Sequence, residues 1–286
     1  MGKFKQNFKY YFIAMLVVIC FFVWYMVLAE TRNGIKVAFL DVGQGDAIFI
    51  EALNGNQVLI DGGQNKKVLS ELSKIMPFYD HSIDLVIESH PDGDHIGGLV
   101  DILSRYNISA VIESGVNSDS PIYESLENIR GEKEIPKYLA RRGMRIDLGD
   151  GAVMEILFPD RDALGWDTND ASIIAKLIYK KNSFLFTGDS PQKMEEYLVS
   201  LSPEDIDVDV LKLGHHGSRT SSAESFLGYT SPQYAVISVG MDNSYGHPHK
   251  ETLDKLNKFD ILALRTDEKG IIIFESDGEN ISIEYE

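Results

Sequence analysis

The sequence predicts an α+β domain, with sheets covered by helices, behind one N-terminal transmembrane helix. Three observations carry this prediction: an uncharged run from Tyr10 to Ala29, short apolar runs recurring from Lys36 to the C-terminus, and helical patterns between the later ones. At 286 residues and 44% hydrophobic composition the chain can bury a large core, which excludes a disordered protein. No internal repeat or low-complexity block is present, which excludes a solenoid.

The first element is the run "YYFIAMLVVICFFVWYMVLA", residues 10–29, long enough at 1.5 Å per residue to cross a hydrocarbon core of about 30 Å. Lys3, Lys5 and Lys9 precede it and Glu30 follows. The positive-inside bias therefore places residues 1–9 in the cytoplasm, makes 10–29 a signal-anchor, and puts 30–286 outside. The competing expectation is a cleaved signal, since "VLA" at 27–29 loosely fits a cleavage site; the domain would then be secreted. Cys20, the single cysteine, lies inside the span, so the rest has no disulfide partner and no thiolate ligand or nucleophile. The net charge is −17; the three lysines contribute +3 and no acid precedes Glu30, leaving −20 beyond it. Such a surface repels polyanions at long range and argues against a generic nucleic-acid-binding module, although bound divalent ions can reverse the field inside a cleft.

A short linker, "ETRNG", leads into the domain. Strands are expected at "KVAFLDV", "AIFIEA", "QVLIDGG", "DLVIESH" and "SAVIES", where apolar residues alternate or run together. A helix is expected from His95, and another over Tyr123–Arg142. Strands then recur at "AVMEILF", "SIIAKLIY", "SFLFTGD", "VDVLKLGHH", "YAVISVG" and "GIIIFES". Helices separate several of these, near Pro191–Ser200, Ser222–Tyr229 and His249–Phe259. Pro191 suits a first helical position with Ser190 as its cap.

Chemistry concentrates at strand ends. In "SHPDGDHIGGL", residues 89–99, His90, Asp92, Asp94 and His95 share one strand-to-helix turn, and Gly93, Gly97 and Gly98 permit tight bending and close helix approach. His90 and Asp92 alternate and can face one centre, while adjacent Asp94 and His95 can serve a second. Imidazole with carboxylate suits Zn²⁺ or Mn²⁺, and two neighbouring ions suit hydrolysis. A solvated turn with capping aspartates is the plainer alternative, disfavoured by four such groups in six residues. "FLFTGDS" ends in Asp189, "LKLGHHGS" in His215 and His216, and "NSYGHPH" carries His247 and His249 after another strand. Leaving His249 aside, five of the seven histidines thus fall in such loops.

The ordered set "LIDGG", "SHPDGDHIGG", "FTGD", "LGHHGS" and "SVGMDNSYGHPH" resembles the metallo-β-lactamase superfamily, specifically the soluble domain of ComEC-type competence proteins and stand-alone relatives. "FLDVGQGDAIFIE" is similar to that subgroup's opening, and the likeness covers nearly all of 36–286. The resemblance implies a four-layer αββα sandwich with two divalent metals, Zn²⁺ or Mn²⁺, at its edge and hydrolysis by a water activated between them. By position, His90 and Asp92 would hold the first metal, Asp94 and His95 the second, and Asp189 would bridge them. Asp61 would orient the histidine-rich loop from behind, and His215 and His216 would complete the two spheres in either order. Two departures stand out. Asp92 replaces a usual histidine, and no histidine lies between His95 and His215, where Asn169 takes the expected place. A metal-poor relative that has lost the centre is the alternative these departures leave.

The resemblance favours a phosphodiester substrate, with DNA among the candidates. Asp94 is expected to accept the proton of the attacking water, and His247 to serve the leaving group. Tyr245 could share that role or contact substrate, with Ser218, Asn243 and Asn169 lining the substrate. Rival readings are a phosphodiesterase of cell-envelope groups such as phosphorylcholine, a cyclic-ester hydrolase, or a non-catalytic tethered module assisting DNA uptake or envelope assembly. A β-lactamase proper is disfavoured by the missing third histidine, and a multi-helix channel by the single span.

Overall fold

The computed structural model describes residues 2–29 and 34–286, which fall into two units, the first ending at Asn33 and the second spanning Gly34–Glu286. In the first, α1 (Gly2–Ala29) is continuous, and its stretch Asn7–Trp24 is long and apolar enough to cross a membrane. Most of the expected linker, residues 30–33, lies outside the described residues.

The second unit opens with β1 (Ile35–Phe39), β2 (Ile48–Glu51) and β3 (Gln57–Ile60), then α2 (Lys67–Ile75), β4 (Ser82–Glu88), α3 (Gly93–Arg105), β5 (Asn107–Glu113), α4 (Pro121–Glu132) and β6 (Lys137–Leu139). There follow β7 (Arg145–Gly149), β8 (Ala152–Phe158), β9 (Ile174–Tyr179), β10 (Asn182–Phe186), α5 (Gln192–Leu201), β11 (Val210–Lys212), α6 (Glu224–Thr230), β12 (Tyr234–Ile237), α7 (Lys250–Lys258) and β13 (Leu262–Arg265). A short α8 (Thr266–Lys269), β14 (Ile272–Ser276) and β15 (Ile281–Tyr285) finish the chain. Among the described residues these strands form two sheets, in the orders β15-β14-β1-β2-β3-β4-β5-β6 and β13-β12-β11-β10-β9-β8-β7.

Each sheet is antiparallel on one side and parallel on the other: β3 through β6 run parallel, as do β10 through β13. Parallel neighbours need crossover helices, and these cover the outer faces. One apolar cluster, containing Phe39, Ile60, Phe184 and Phe274, fills the space between the sheets. A second packs Phe49 and Val86 against Leu72, Leu99 and Leu126 of α2, α3 and α4; a third packs Leu185 and Leu211 against Leu198, Phe226 and Leu256 of α5, α6 and α7. The result is the αββα sandwich that the sequence resemblance implied. Each fully buried Phe contributes roughly 2–3 kcal/mol of transfer free energy, so the inter-sheet cluster is the main cohesive element. Every parallel strand also delivers its C-terminal end to one rim, where open α/β sheets place their ligand loops.

Three local expectations need correction. The helix expected over Tyr123–Arg142 ends at Glu132, because Glu134 has φ +54° and Pro136 cannot donate to a continuing ladder; Lys137–Leu139 instead pairs with β5. Ser190 does not cap α5: the helix begins at Gln192 without a side-chain cap, and the buried Ser190 hydroxyl lacks a protein partner. The helix after the His90 loop starts at Gly93, so Asp94 and His95 occupy its first turn. Short β6, β7, β13 and β15 and helices α2 and α8 escaped the reading of apolar runs.

Candidate metal centre

The site is assembled from strand ends of both sheets. Asp61 follows β3, Ser89 and His90 follow β4, and Asp92, Asp94 and His95 form the entry to α3; Asp189 follows β10, and His215 and His216 follow β11. α3 can come this close because its glycines present backbone. A Cβ at Gly98 would lie 2.0 Å from the Gly62 carbonyl oxygen. His215 and His216 both take left-handed backbone angles, φ +50° and +53°, uncommon for residues with a Cβ and a sign of a loop held by its surroundings.

Asp189 is the hub. Its carboxylate oxygens lie 4.0 Å from His90 Nε2, 3.3 Å from His95 Nε2, 3.7 Å from His215 Nε2 and 3.5 Å from His216 Nε2. Asp94, His95, Asp189 and His216 each offer one ligand atom, all within 4.8 Å of one another. On the other side of Asp189, His90 Nε2 is 3.7 Å from Asp92 Oδ2. His216 therefore falls in the set of Asp94 and His95, while His90, His215 and His216 all approach the same Asp189 oxygen.

The second nitrogens of the rings are anchored. His95 Nδ1 is 2.8 Å from Asp61 Oδ2, His90 Nδ1 is 3.0 Å from Ser89 Oγ, and His216 Nδ1 is 3.0 Å from the Ser238 carbonyl oxygen. Ser89 in turn donates its N–H and hydroxyl to Asp61. A carbonyl only accepts, so His216 must carry its proton on Nδ1 and turn a lone pair on Nε2 inward whenever it is neutral. His90 Nε2, His95 Nε2, His216 Nε2 and Asp189 Oδ1 are buried without a hydrogen-bond partner. Buried polar atoms are ordinarily satisfied, and four orphans converging among carboxylates fit divalent cations well.

Electrostatics agree with that fit. Burial depresses His90 to about 4, helped by the neighbouring His95 charge. For His95 and His216 burial is outweighed by Asp189 with Asp61 or Asp46, and both are driven well above the ordinary histidine range. Burial alone would raise Asp94, but its contacts with His216 and His95 bring it down to about 2. The cluster thus draws protons to the positions where metal ions would supply the same positive charge.

Two participants were not singled out from the sequence. Asp46, buried, lies 3.3 Å from His216 Nδ1, and fully buried Lys212 lies 2.5 Å from the other Asp46 oxygen. Asp46 hides in the glycine turn "VGQGD". Lys212 carried a usable signal: a lysine inside the apolar strand "VLKLG" must meet a carboxylate. Of the remaining expected residues, His247 sits at the rim with its ring 5.7 Å from that of His215, and burial together with the nearby histidines lowers it to about 4. Tyr245 stacks on His247 at 5.7 Å and is exposed. Asn243 donates to the Gly240 and His247 carbonyls and accepts from His247 N–H, pinning its own loop. Ser218 is buried and bonded to Thr220. Asn169 has a buried, unpartnered Oδ1 and follows Thr168, which hydrogen-bonds Asp92.

Residues 40–240 match the metallo-beta-lactamase superfamily. The chain belongs to that superfamily. Among curated members, ComE operon protein 3 of Bacillus subtilis (strain 168) is 31% identical over 255 residues, covering 83% of this chain and 32% of that protein. Competence protein ComA of Neisseria gonorrhoeae is 30% identical over 258 residues, 88% of this chain and 34% of that protein. The chain therefore spans about a third of the length of these relatives. In fold it is similar to CmlA, a diiron beta-hydroxylase from Streptomyces venezuelae, with TM-score 0.58, 14% identity and coverage of 86% of this chain and 55% of that one. It is also similar to Igni18, a metallo hydrolase from Ignicoccus hospitalis, with TM-score 0.51, 16% identity and coverage of 84% and 99%. At such identities the likeness shows the metallo-β-lactamase fold alone, which hosts more than one chemistry.

Proposed function

We propose that the protein is a metal-dependent phosphodiesterase of nuclease type. The observation that supports this most is the convergence of the His90–Asp92 and Asp94–His95–His216 groups on the single carboxylate of Asp189. His90, Asp92, Asp189 and His215 would hold one divalent ion, and Asp94, His95, His216 and Asp189 the other. Such a pair supplies Lewis acidity toward a phosphoryl oxygen and a water of lowered pKa. Zn²⁺ and Mn²⁺ both suit the mixed imidazole and carboxylate donors.

The chain's own residues do the rest. His90, His95, His216 and Asp189 are buried and form a fixed floor, whereas Asp92, Asp94 and His215 are 38%, 28% and 28% exposed along their side chains and face the entrance. Asp94 is the ionised group at that entrance best placed to accept a proton from the attacking water. His247, neutral at pH 7, donates a hydrogen bond to the departing oxygen through one ring nitrogen. Asn243 is a positioning residue that holds His247 by both its N–H and its carbonyl. Asp61 and Ser89 keep His95 and His90 turned inward, and Asn169 and Ser218 shape the surrounding loops.

The similarity to competence proteins and the apolar span favour DNA as substrate and a membrane-anchored enzyme with its domain outside. Full-length protein in detergent, loaded with Zn²⁺ or Mn²⁺, is expected to hydrolyse bis-p-nitrophenyl phosphate and to lose that activity on chelation. Absence of hydrolysis with either metal, despite two bound ions per chain by elemental analysis, would leave a non-catalytic tethered module. Protease shaving of intact cells should remove the domain; protection would reverse the orientation.

A further inference from the structure

Resting on the reading of a phosphodiester substrate, we propose that a cavity on loops shared with the candidate metal centre is the pocket for the nucleoside adjoining the scissile phosphate. The cavity holds about 350 Å³ and is lined by Asp41, Gly43, Gln44, Lys67, Met241 and Asn243 among others. This volume falls within the range of about 300–1,000 Å³ typical of small-ligand sites.

Its position links it to the chemistry through two shared loops. Residues 41–46 present Asp41, Gly43 and Gln44 to the cavity, while Asp46 on the same loop backs His216. Gly45 lies against the backbone of Asp94 so closely that a Cβ there would meet the Asp94 carbonyl oxygen at 1.8 Å. On the facing loop, Asn243 lines the cavity and its amide is 2.7 Å from the His247 carbonyl, and the His247 ring packs 5.7 Å from His215. A diester phosphate at Asp189 would have both of these loops beside it.

The walls identify that substituent. Gln44 and Asp41 offer donors and acceptors of the kind that read the edge of a nucleobase, and Met241, 74% exposed, gives a polarisable lip for its flat face. Lys67, 3.0 Å from Asp41 and 39% exposed, is placed to take a second phosphate. No aromatic ring lines the cavity among the described residues. A choline group, which is recognised by aromatic cages, fits poorly.

The test uses full-length protein in detergent. With metal bound, deoxyadenosine 5′-monophosphate, a monoester and so no diester substrate, should bind by calorimetry, and Gln44→Ala and Met241→Ala should each weaken it at least about fivefold while leaving inorganic phosphate binding unchanged. Phosphorylcholine or inorganic phosphate binding as tightly as the nucleotide would overturn the proposal. On the same metal-loaded protein, Met241→Ala and Lys67→Ala should lower about tenfold the ratio of kcat/KM for a dinucleotide to that for bis-p-nitrophenyl phosphate. Met241 is exposed, so its variant keeps the fold, and matched thermal unfolding checks this. Activity on both diesters with an unchanged ratio would overturn the pocket and keep the phosphodiesterase. Inactivity on both, with nucleotide binding still sensitive to Gln44→Ala, would overturn the catalytic reading and keep the pocket.

Discussion

Asp189 and Asp94 show how two carboxylates in one cluster acquire different work. Asp189 is buried among four imidazoles and can only receive charge, whereas Asp94 keeps a face toward solvent. Replacing Asp94 with asparagine should retain the shape while removing charge and basicity, and turnover of bis-p-nitrophenyl phosphate should fall at least about 10²-fold. Full activity in that variant would remove Asp94 from the mechanism. Lys212 gives a prediction about stability. It is the nearest cation to buried Asp46, and Lys212→Met leaves that carboxylate with only His216 and His95 beside it, at an expected cost of about 3 kcal/mol in urea unfolding. Adding Asp46→Asn should recover part of the loss. Among the expected residues that the structure brings together, His90, Asp189, His215 and His216 each interrupt the end of an apolar run. Asp46 was missed because it precedes β2 and does not end an apolar run, with six residues of loop between it and β1.

Elements were legible where periodicity was long and unbroken, as in β4, β8 and α3. They were lost where a strand was only three to five residues and half-exposed, as in β6 and β7, because pairing with a neighbour and not the local pattern makes such segments extended. α4 was overextended because the charged, helix-favouring stretch around Glu132 continues past the point where Glu134 reverses the backbone and Pro136 removes a donor. α5 carries a pH-sensitive contact. Glu195, fully buried, accepts hydrogen bonds from the N–H groups of Ser222 and Ala223, yet burial outweighs these and raises its carboxyl to about 7. A raised folded-state value means that its stabilisation is complete below the unfolded value near 4.5 and disappears as pH rises through 7. The swing is on the order of 3 kcal/mol at about 1.4 kcal/mol per pH unit. Glu195→Gln should flatten unfolding free energy between pH 5 and 7.5, while losing about 1 kcal/mol because an amide oxygen replaces two acceptors. An unchanged slope would assign the pH dependence to other groups.

At the scale of the whole molecule, the metal centre lies on the seam of the sandwich. Asp61, His90, Asp92, Asp94 and His95 come from the first sheet, and Asp189, His215 and His216 from the second. An ion held there ties the sheets together at one rim, and anything that binds only the folded chain stabilises it by mass action. Chelation should therefore lower the Tm of the Gly34–Glu286 unit, and restoring Zn²⁺ or Mn²⁺ at 100 times Kd should return about 2.7 kcal/mol. A Tm indifferent to chelator would place the ions outside the seam. Sheets covered by helices were readable from the alternation of strands and helices, and the four-layer αββα arrangement came with the family resemblance. The seam was not, because it depends on which strand ends face each other across two sheets, and no short window of sequence contains that information.

The division of ligands between sheets has a consequence for biosynthesis. A chain emerging from the ribosome makes Asp61 through His95 first and gains Asp189, His215 and His216 only after several more strands are synthesised. Until β11 docks, a captured ion has an incomplete shell and leaves readily. An ion retained there would be chosen by the compartment where folding finishes, so if the domain folds outside the cell it would take its metal from the pool there and escape the competition among cytoplasmic metals that the intrinsic affinity order would otherwise decide.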